Sequence, residues 1–332
     1  MGRCCLLCSV PLPWCTDNRG RTATMFALRD SLKSKNLNWS DPNPCVWTSL
    51  GCDAGSRRVS RIQIGNRGIS GALTSSLSNL PALTIFEVMG NSLTGNIPSL
   101  TKMHALTKAW LQETRFSGAI PVFSGLTSLK LVNVSGNQLT GIVPESLTEL
   151  TSLSDLALGN NLLQGPTPSF KSKSMNLDMT GLNSFCLDVP GAPCDPRVND
   201  LLSIVEGFGF PAVFAERWKY QQMGRNNLLC ANITVIDFKG MALNGTISPS
   251  FARLRTLKVI NLSHNNLNVV HGDPGIRYHV PPPVPGYLGS SSQNNNVAKL
   301  WKNKAYHKMH PQQHSGDQDA LKITLGNLCW WK

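Results

Sequence analysis

The sequence predicts an α/β solenoid built in two blocks, and three observations carry the prediction. The stretch Leu83 to Pro98, LTIFEVMGNSLTGNIP, places apolar residues at Leu83, Phe86, Val88, Leu93 and Ile97, with Asn91, Gly95 and Pro98 fixed among them. That spacing is one complete leucine-rich repeat unit, L-x-x-L-x-L-x-x-N-x-L-x-G-x-I-P. The register returns at Leu106, Leu129 and Leu153, after 23, 23 and 24 residues. It stops after Pro168 and resumes at Ile233, so the horseshoe is divided by a segment without the repeat.

The chemistry follows from the unit. Phe86 and Val88 alternate on a short strand, so Glu87 and Met89 face outward, and stacked strands make a curved sheet. Asn91, stacked above Asn137 and Asn161, can bond backbone groups that the turn after the strand leaves unpaired. In the L-T-G-x-I-P half, Gly95 permits a tight turn and Pro98 fixes the exit to the next coil. This half resembles the plant-specific subtype of the repeat.

In chain order, residues 1–23 form an atypical N-terminal segment. MGRCCLLCSVPLPWC has one basic residue and a weak apolar run broken by Pro11 and Pro13, a poor match to an export signal. Gly2 with Cys4 and Cys5 suggests acylation, but Leu6 stands where that pattern needs Ser or Thr. The segment reads as a remodelled first exon. Residues 24–58 read as an N-terminal cap, with an amphipathic helix over Thr24–Leu37 presenting Phe26, Leu28 and Leu32. Cys45 and Cys52, flanked by Trp39 and Trp47, predict a disulfide that closes the cap over the first coil's apolar end.

The first repeat block spans 59–168. Its first coil runs through Val59, Ile62, Ile64 and Ile69, with Arg67 in the asparagine position, and four regular coils follow. The link, 169–231, carries Cys186 and Cys194, a second predicted disulfide, and a helix-turn-helix pattern in VNDLLSIVEGFGFPAVFAERW. The second block, 232–267, has two coils, from Ile233 to Ile247 and from Leu257 to Leu267. At Asn268 the pattern fails, and 268–332, with PPPVP, SSSQNNN and a Lys/His-rich run, reads as an aberrant or disordered tail. His307, His310 and His314 lie there as a solvated polar tract rather than as metal ligands.

A net charge of +12 admits nucleic acid as a partner, but the basic residues are scattered and not interleaved with aromatics on one element, so no nucleic-acid partner is expected. No run of about 20 apolar residues crosses a membrane. No kinase glycine-rich loop, HRD or DFG triplet is present. Asp155, Glu87 and Glu113 have no nucleophile or base placed with them in sequence, so the chain is read as non-catalytic, without a cofactor or metal. The binding reading is stronger. The concave stripe is expected to comprise Arg61, Gln63, Gly65, Thr84 or Ile85, Glu87, Met89, Lys108, Trp110, Gln112, Val132, Asn133, Ser135, Asp155, Ala157 and Gly159. Trp110 is its one large aromatic and the candidate anchor for a protein or small-molecule ligand and a co-receptor. Five N-x-S/T sequons at Asn38, Asn133, Asn232, Asn244 and Asn261 are candidate glycosylation sites.

With this plan in view, the segments FALRDSLKSKNLNWSDPNPCVWTSLGC, RVSRIQIGNRGISGAL, NSFCLDVPGAPCDPRVNDLLSIVEGFGFPAVFAERWK and NITVIDFKGMALNGTISPSFARLRTLKVINLSHNNL together resemble the ectodomain of plant TMK-type receptor kinases over roughly 24–267. The link, with SFC followed by CDPRV, is the most specific part. The resemblance implies an extracellular, plasma-membrane receptor with a cytoplasmic Ser/Thr kinase, tied to auxin signalling and growth. The chain departs from that pattern in having fewer coils in the first block and only Cys230 where the second cap should carry a cysteine pair. Two alternatives accompany it: a secreted or intracellular interaction or inhibitor protein, and a fragment of a complete receptor kinase arising from a defective gene model.

Overall fold

The computed structural model describes residues 13–34, 37–55, 58–217, 233–268 and 322–325, which fall into two compact units. Unit 1 holds the cap and the first block. Helix α1 (Pro13–Ser31) is followed directly by β1 (Leu32–Lys33), whereas the apolar spacing predicts a helix over Thr24–Leu37. The helix ends early because Leu32 and Lys33 pair antiparallel with Gly71 and Ser70 of the first coil, which satisfies their backbone as strand. The helix also begins ahead of residue 24, so the N-terminal segment and the cap are not separated there. Its buried side includes Met25 and Leu28, with Phe26 half-buried, and Leu32 of β1 is buried next to them. The β1 pairing requires Gly71, whose φ is +106° and whose absent Cβ would stand 2.3 Å from the Ser31 carbonyl oxygen.

Behind the helix, Trp39 and Trp47 stack with ring centroids 5.1 Å apart, and Phe26 meets Trp47 edge-on at 5.4 Å. Both indoles are buried and both find acceptors, Trp39 Nε1 donating to the Thr48 carbonyl and Trp47 Nε1 to that of Asp41. The Cys45–Cys52 disulfide is formed, with its Cα atoms 5.5 Å apart, and leads into β2 (Leu50–Cys52). Strand β2 lies antiparallel against β3 (Val59–Gln63) and closes the near edge of the main sheet.

The coils then alternate two strands each. They are β4 (Ser70–Ala72), β5 (Ile85–Glu87), β6 (Ser92–Gly95), β7 (Lys108–Trp110), β8 (Arg115–Ala119), β9 (Leu131–Asn133) and β10 (Gln138–Gly141). After the single-turn helix α2 (Glu145–Thr148) come β11 (Asp155–Ala157), β12 (Leu162–Gly165), β13 (Asn176–Asp178) and β14 (Ser184–Phe185). Strands β3, β5, β7, β9, β11 and β13 run parallel in the main sheet, and β4, β6, β8, β10, β12 and β14 form a second sheet that β1 edges. Between them lies a core of Leu83, Phe86, Val88, Leu106, Phe116, Leu129, Val134 and their equivalents, all essentially inaccessible to solvent.

The asparagine ladder has the predicted form. Asn91 Nδ2 donates to the carbonyls of Ile64 and Val88, while its Oδ1 accepts from the amides of Arg67 and Ile69. Asn137 and Asn161 repeat this on the next coils, and Thr114 occupies the intervening rung, its hydroxyl donating to Asn137 Oδ1. The block does not end at Pro168. Asn183 donates to Leu158 O and accepts from Leu163 N, and β13 and β14 pair in parallel with β11 and β12, which makes a further coil. The side chains of β13 are exposed, Leu177 to 38%, so the apolar signal that marks the equivalent strand of the other coils is missing.

Unit 2 repeats the plan of the cap. Helix α3 (Pro196–Glu206) buries Leu201, Leu202, Ile204 and Val205 and packs on the 3-10 turn Pro249–Arg253. Gly245, with φ +103°, plays the role of Gly71: a Cβ there would stand 2.4 Å from the carbonyl oxygen of Gly207 at the end of α3. The helix–turn–helix reading holds, although α4 (Ala212–Arg217) groups with unit 1 and contacts β10 and β12. The two coils of the second block supply β15 (Ile233–Asp237), β16 (Asn244–Thr246), β17 (Val259–Asn261) and β18 (Asn266–Asn268), with Asn265 as the ladder residue.

A strand from the predicted tail, β19 (Lys322–Leu325), pairs antiparallel with β15. Ile323 faces Ile236, Thr324 faces Val235 and Leu325 faces Ile233, with a bulge that skips Thr234. On the first coil, Leu50 faces Ile62, Gly51 faces Arg61 and Cys52 faces Val59, with a bulge that skips Ser60. The two pairings are equivalent residue for residue. The tail is therefore not without structure throughout. The rest of 269–332, including the histidine tract and Cys329, lies outside the described residues, as does Cys230.

Two measurements check this account. Asn137→Ala removes the bonds its side chain makes to the Leu111 and Val134 carbonyls, the Phe116 amide and the Thr114 hydroxyl, and is expected to cost about 3 kcal/mol in denaturant unfolding, against about 0.5 kcal/mol or less for exposed Gln138→Ala. Asp195 caps α3 by accepting from the Arg197 amide, and the Arg197 guanidinium bonds both of its carboxylate oxygens, which holds its pKa below the ordinary carboxylate value. A depressed folded pKa contributes stability that is present above the unfolded value and is lost as the pH falls through the folded one. Asp195→Ala should therefore destabilise α3 by about 1 kcal/mol at neutral pH and show a smaller difference from the parent in strongly acidic solution, as read by melting across pH.

Candidate functional site

Strand register arranges the outward side chains of the main sheet in columns. One column runs Arg61, Ile85, Lys108, Leu131, Asp155 and Asn176; the next runs Gln63, Glu87, Trp110, Asn133, Ala157 and Asp178. Because alternate residues of a strand point to opposite sides, these positions are free of the core. Val132 does not belong with them. It sits at the centre of β9, pointing inward and 1% exposed, and Leu131 takes the outward place expected of it.

The predicted residues are brought onto one face but do not converge on a single point. At the β3 end, the Arg61 guanidinium lies over Gly51, where a side chain would collide with it. Gln63 Nε2 donates to Glu87 Oε2 at 3.1 Å, and Met89 fills the space left by the missing side chain of Gly65. In the middle, Lys108 Nζ stands 5.4 Å from the centroid of the Trp110 ring, a cation–π contact. Gln112 is half-buried, and its Oε1 is shielded from solvent without a hydrogen-bond partner among the described residues.

From Trp110 toward the far end the face dips into a cleft of about 200 Å3, lined by Trp110, Leu131, Asn133, Asp155, Ala157, Asn176 and Asp178 with the backbone strands beneath. The dip follows from the column Trp110, Asn133, Ala157, Asp178, since Ala157 is the short side chain between longer ones. Asp155 Oδ2 accepts from the Ser154 hydroxyl at 2.7 Å. Asp178 Oδ1 accepts from both the amide and the hydroxyl of Thr180, and these bonds, the amide's first, lower its pKa, so it is ionised at physiological pH. Asn133 holds Ser135 in the same way, by its amide and its hydroxyl.

Asp178 and Asn176 were not legible as site residues because their coil falls beyond the expected end of the block. The signal that could have found them is the D-x-T of Asp178 to Thr180, which occupies the strand-exit position of N-x-S at Asn133, four residues before a ladder asparagine in one coil and five in the other. Of the cysteines, Cys186 and Cys194 are both buried and disulfide-bonded. Among the sequons, Asn38 and Asn244 are exposed, Asn133 and Asn261 are half-buried, and Asn232 lies outside the described residues. No helix among the described residues is long and apolar enough to cross a membrane.

Known proteins resemble this chain in sequence and in structure. The leucine rich repeat family model matches residues 121–163. Receptor-like kinase TMK2 of Arabidopsis thaliana is 36% identical, over 92% of this chain and 55% of its own length. The chain is a plant-type leucine-rich repeat protein related to the TMK receptor-like kinases. Receptor protein kinase WSS1 of Oryza sativa subsp. japonica is 36% identical over 67% of this chain and 38% of its own length, and Receptor-like kinase TMK4 of Arabidopsis thaliana is 34% identical over 52% and 19%. The chain thus spans about half the length, or less, of these relatives. Among solved structures, the leucine-rich repeat ectodomain of the Arabidopsis thaliana receptor kinase SOBIR1 is 24% identical with a TM-score of 0.42, covering 49% of this chain and 92% of that one.

Proposed function

We propose that the chain is the extracellular recognition part of a TMK-like cell-surface receptor, binding a protein or peptide ligand and a co-receptor in growth-related, auxin-linked signalling. The observation that carries this reading is the main sheet itself. Six parallel strands present two columns of side chains that neither the core nor any described element covers, with Trp110 half-buried among them and charges on both sides. An uncovered aromatic set among polar residues is the composition of an interface core, where tryptophan and arginine dominate binding energy. The cap disulfide and the sequons at exposed Asn38 and Asn244 suit an oxidising, extracellular setting and glycosylation.

The test is binding of the secreted full chain to plant plasma-membrane vesicles, comparing substitutions on the two sheets. Lys108→Glu together with Trp110→Ala should weaken binding at least about tenfold, a loss of roughly 1.4 kcal/mol or more. Thr94→Lys with Gln138→Lys, exposed on the second sheet, should leave it within about twofold of the parent. Equal loss from both pairs, or loss only from the second, would remove the main sheet from the binding surface.

A further inference from the structure

Resting on the reading of the main sheet as the binding face, we infer that the cleft beside Trp110 is a subsite for one basic side chain, a guanidinium or ammonium group, of an extended peptide ligand. Three independent features of the cleft select that chemistry.

Size comes first. At about 200 Å3 the cleft falls below the range of sites that enclose drug-sized molecules, but it has room for a single amino-acid side chain. Its depth is made by Ala157, with the Trp110 ring as one wall and the Asp178 carboxylate as the other.

Charge comes second. Asp155 and Asp178 both line the cleft and no lysine or arginine does, although the whole chain carries +12. Asp178 Oδ1 is held by Thr180 and Asp155 Oδ2 by Ser154, while Asp178 Oδ2 and Asp155 Oδ1 accept no hydrogen bond from the described residues. Those two oxygens remain for a donor brought by a ligand. A neutral occupant would strip water from two carboxylates without compensating either; a cation pairs with them. Gly159 contributes to this arrangement. A Cβ at that position would stand 2.8 Å from Asp178 Oδ2 and 3.1 Å from the Thr180 carbonyl, so glycine leaves the carboxylate its place.

The aromatic wall comes third. Tryptophan has the strongest attraction for cations of the aromatic side chains, and the Lys108 ammonium already sits 5.4 Å from this ring without lining the cleft. A peptide chain fits the surroundings, because the same columns carry Arg61 and Lys108 toward β3, with Glu87 between them bonded by Gln63, and both aspartates toward β13. A ligand with its basic residue in the cleft can extend along the face toward cationic positions that suit an acidic residue.

The experiment is titration of the full chain with N-acetyl-arginine amide, N-acetyl-citrulline amide and N-acetyl-glutamate amide, following the indole N–H resonance of Trp110, identified by its disappearance in Trp110→Phe. The arginine compound should shift that resonance saturably, at least about tenfold more tightly than its neutral isostere citrulline, and less tightly as salt is raised. Asp178→Asn and, separately, the cleft-filling Ala157→Leu should each weaken it by about tenfold, with melting temperature as the control for folding. Equal affinity for citrulline, preference for the glutamate compound, or no saturable shift would overturn the inference. If the inference fails while Lys108→Glu with Trp110→Ala still abolishes vesicle binding, the binding face stands and only the chemistry of its cleft is wrong. If both fail, the reading of the face falls as well.

Discussion

Everything in this molecule depends on one interaction: the side-chain amide of an asparagine that leaves its own coil and satisfies the backbone of the coil before it. A strand that turns after three residues strands carbonyls and amides inside the protein, and an unpaired buried backbone group costs about 1–3 kcal/mol. Asn91, Asn137, Asn161, Asn183 and Asn265 each answer that cost with donors to carbonyls of two successive coils and an acceptor for an amide of the earlier one. A second set of hydroxyls does the same at the strand entrances, Thr84 bonding Ser60, Thr107 bonding Thr84 and Ser154 bonding Lys130. Neighbouring coils are thereby tied by polar bonds as well as by the leucine core, and stability becomes a property of adjacent pairs.

A stack of this kind is only as good as its ends. The first coil of each unit lacks a preceding coil, and the chain meets that need with one recipe used twice. A helix end is pressed against a glycine of positive φ, Gly71 in one unit and Gly245 in the other, so closely that no Cβ fits. An antiparallel strand with a bulge at the same residue closes the sheet edge, β2 against β3 and β19 against β15. In the first unit the strand follows from the adjoining cap sequence, held by the Cys45–Cys52 disulfide. In the second it comes from far along the chain. An open strand edge accepts any segment able to match its register, so the equivalence of the two pairings reflects the demand of the edge more than the identity of the segment that meets it.

How much of this could be read in the sequence depended on where side chains had to be apolar. The regular coils, the ladder asparagines and the cap cysteines were legible because burial or a bond fixes residue type there. The coil of Asn176 to Phe185 was not, because as the last in its block it buries little on one side: Leu177, Leu182 and Leu187 are exposed, and 22 residues rather than 24 separate Asn161 from Asn183. Asparagine spacing, which survives at an exposed end, was the better guide. Val132 was misplaced by one position, and a one-residue slip on a strand reverses its facing. The helix boundary at Ser31 was hidden because its cause is not local, lying in Ser70 and Gly71 some forty residues away.

The proposed binding face was legible as a surface but not as a site, and the reason is the freedom of its outward positions. Outward positions of the main sheet carry no share of the ladder or the core, so their identities can change from coil to coil at little cost in stability. Composition along the columns is then free to follow a ligand. Side chains there are mixed in charge over β3 to β7, with Arg61, Glu87 and Lys108, and acidic at Asp155 and Asp178, and Ala157 interrupts the longer residues to open a cleft. A small residue between large ones, and carboxylates whose spare oxygens no neighbour uses, are features that folding does not require. Their presence on a scaffold otherwise governed by repetition is what supports the proposed ligand subsite beside Trp110.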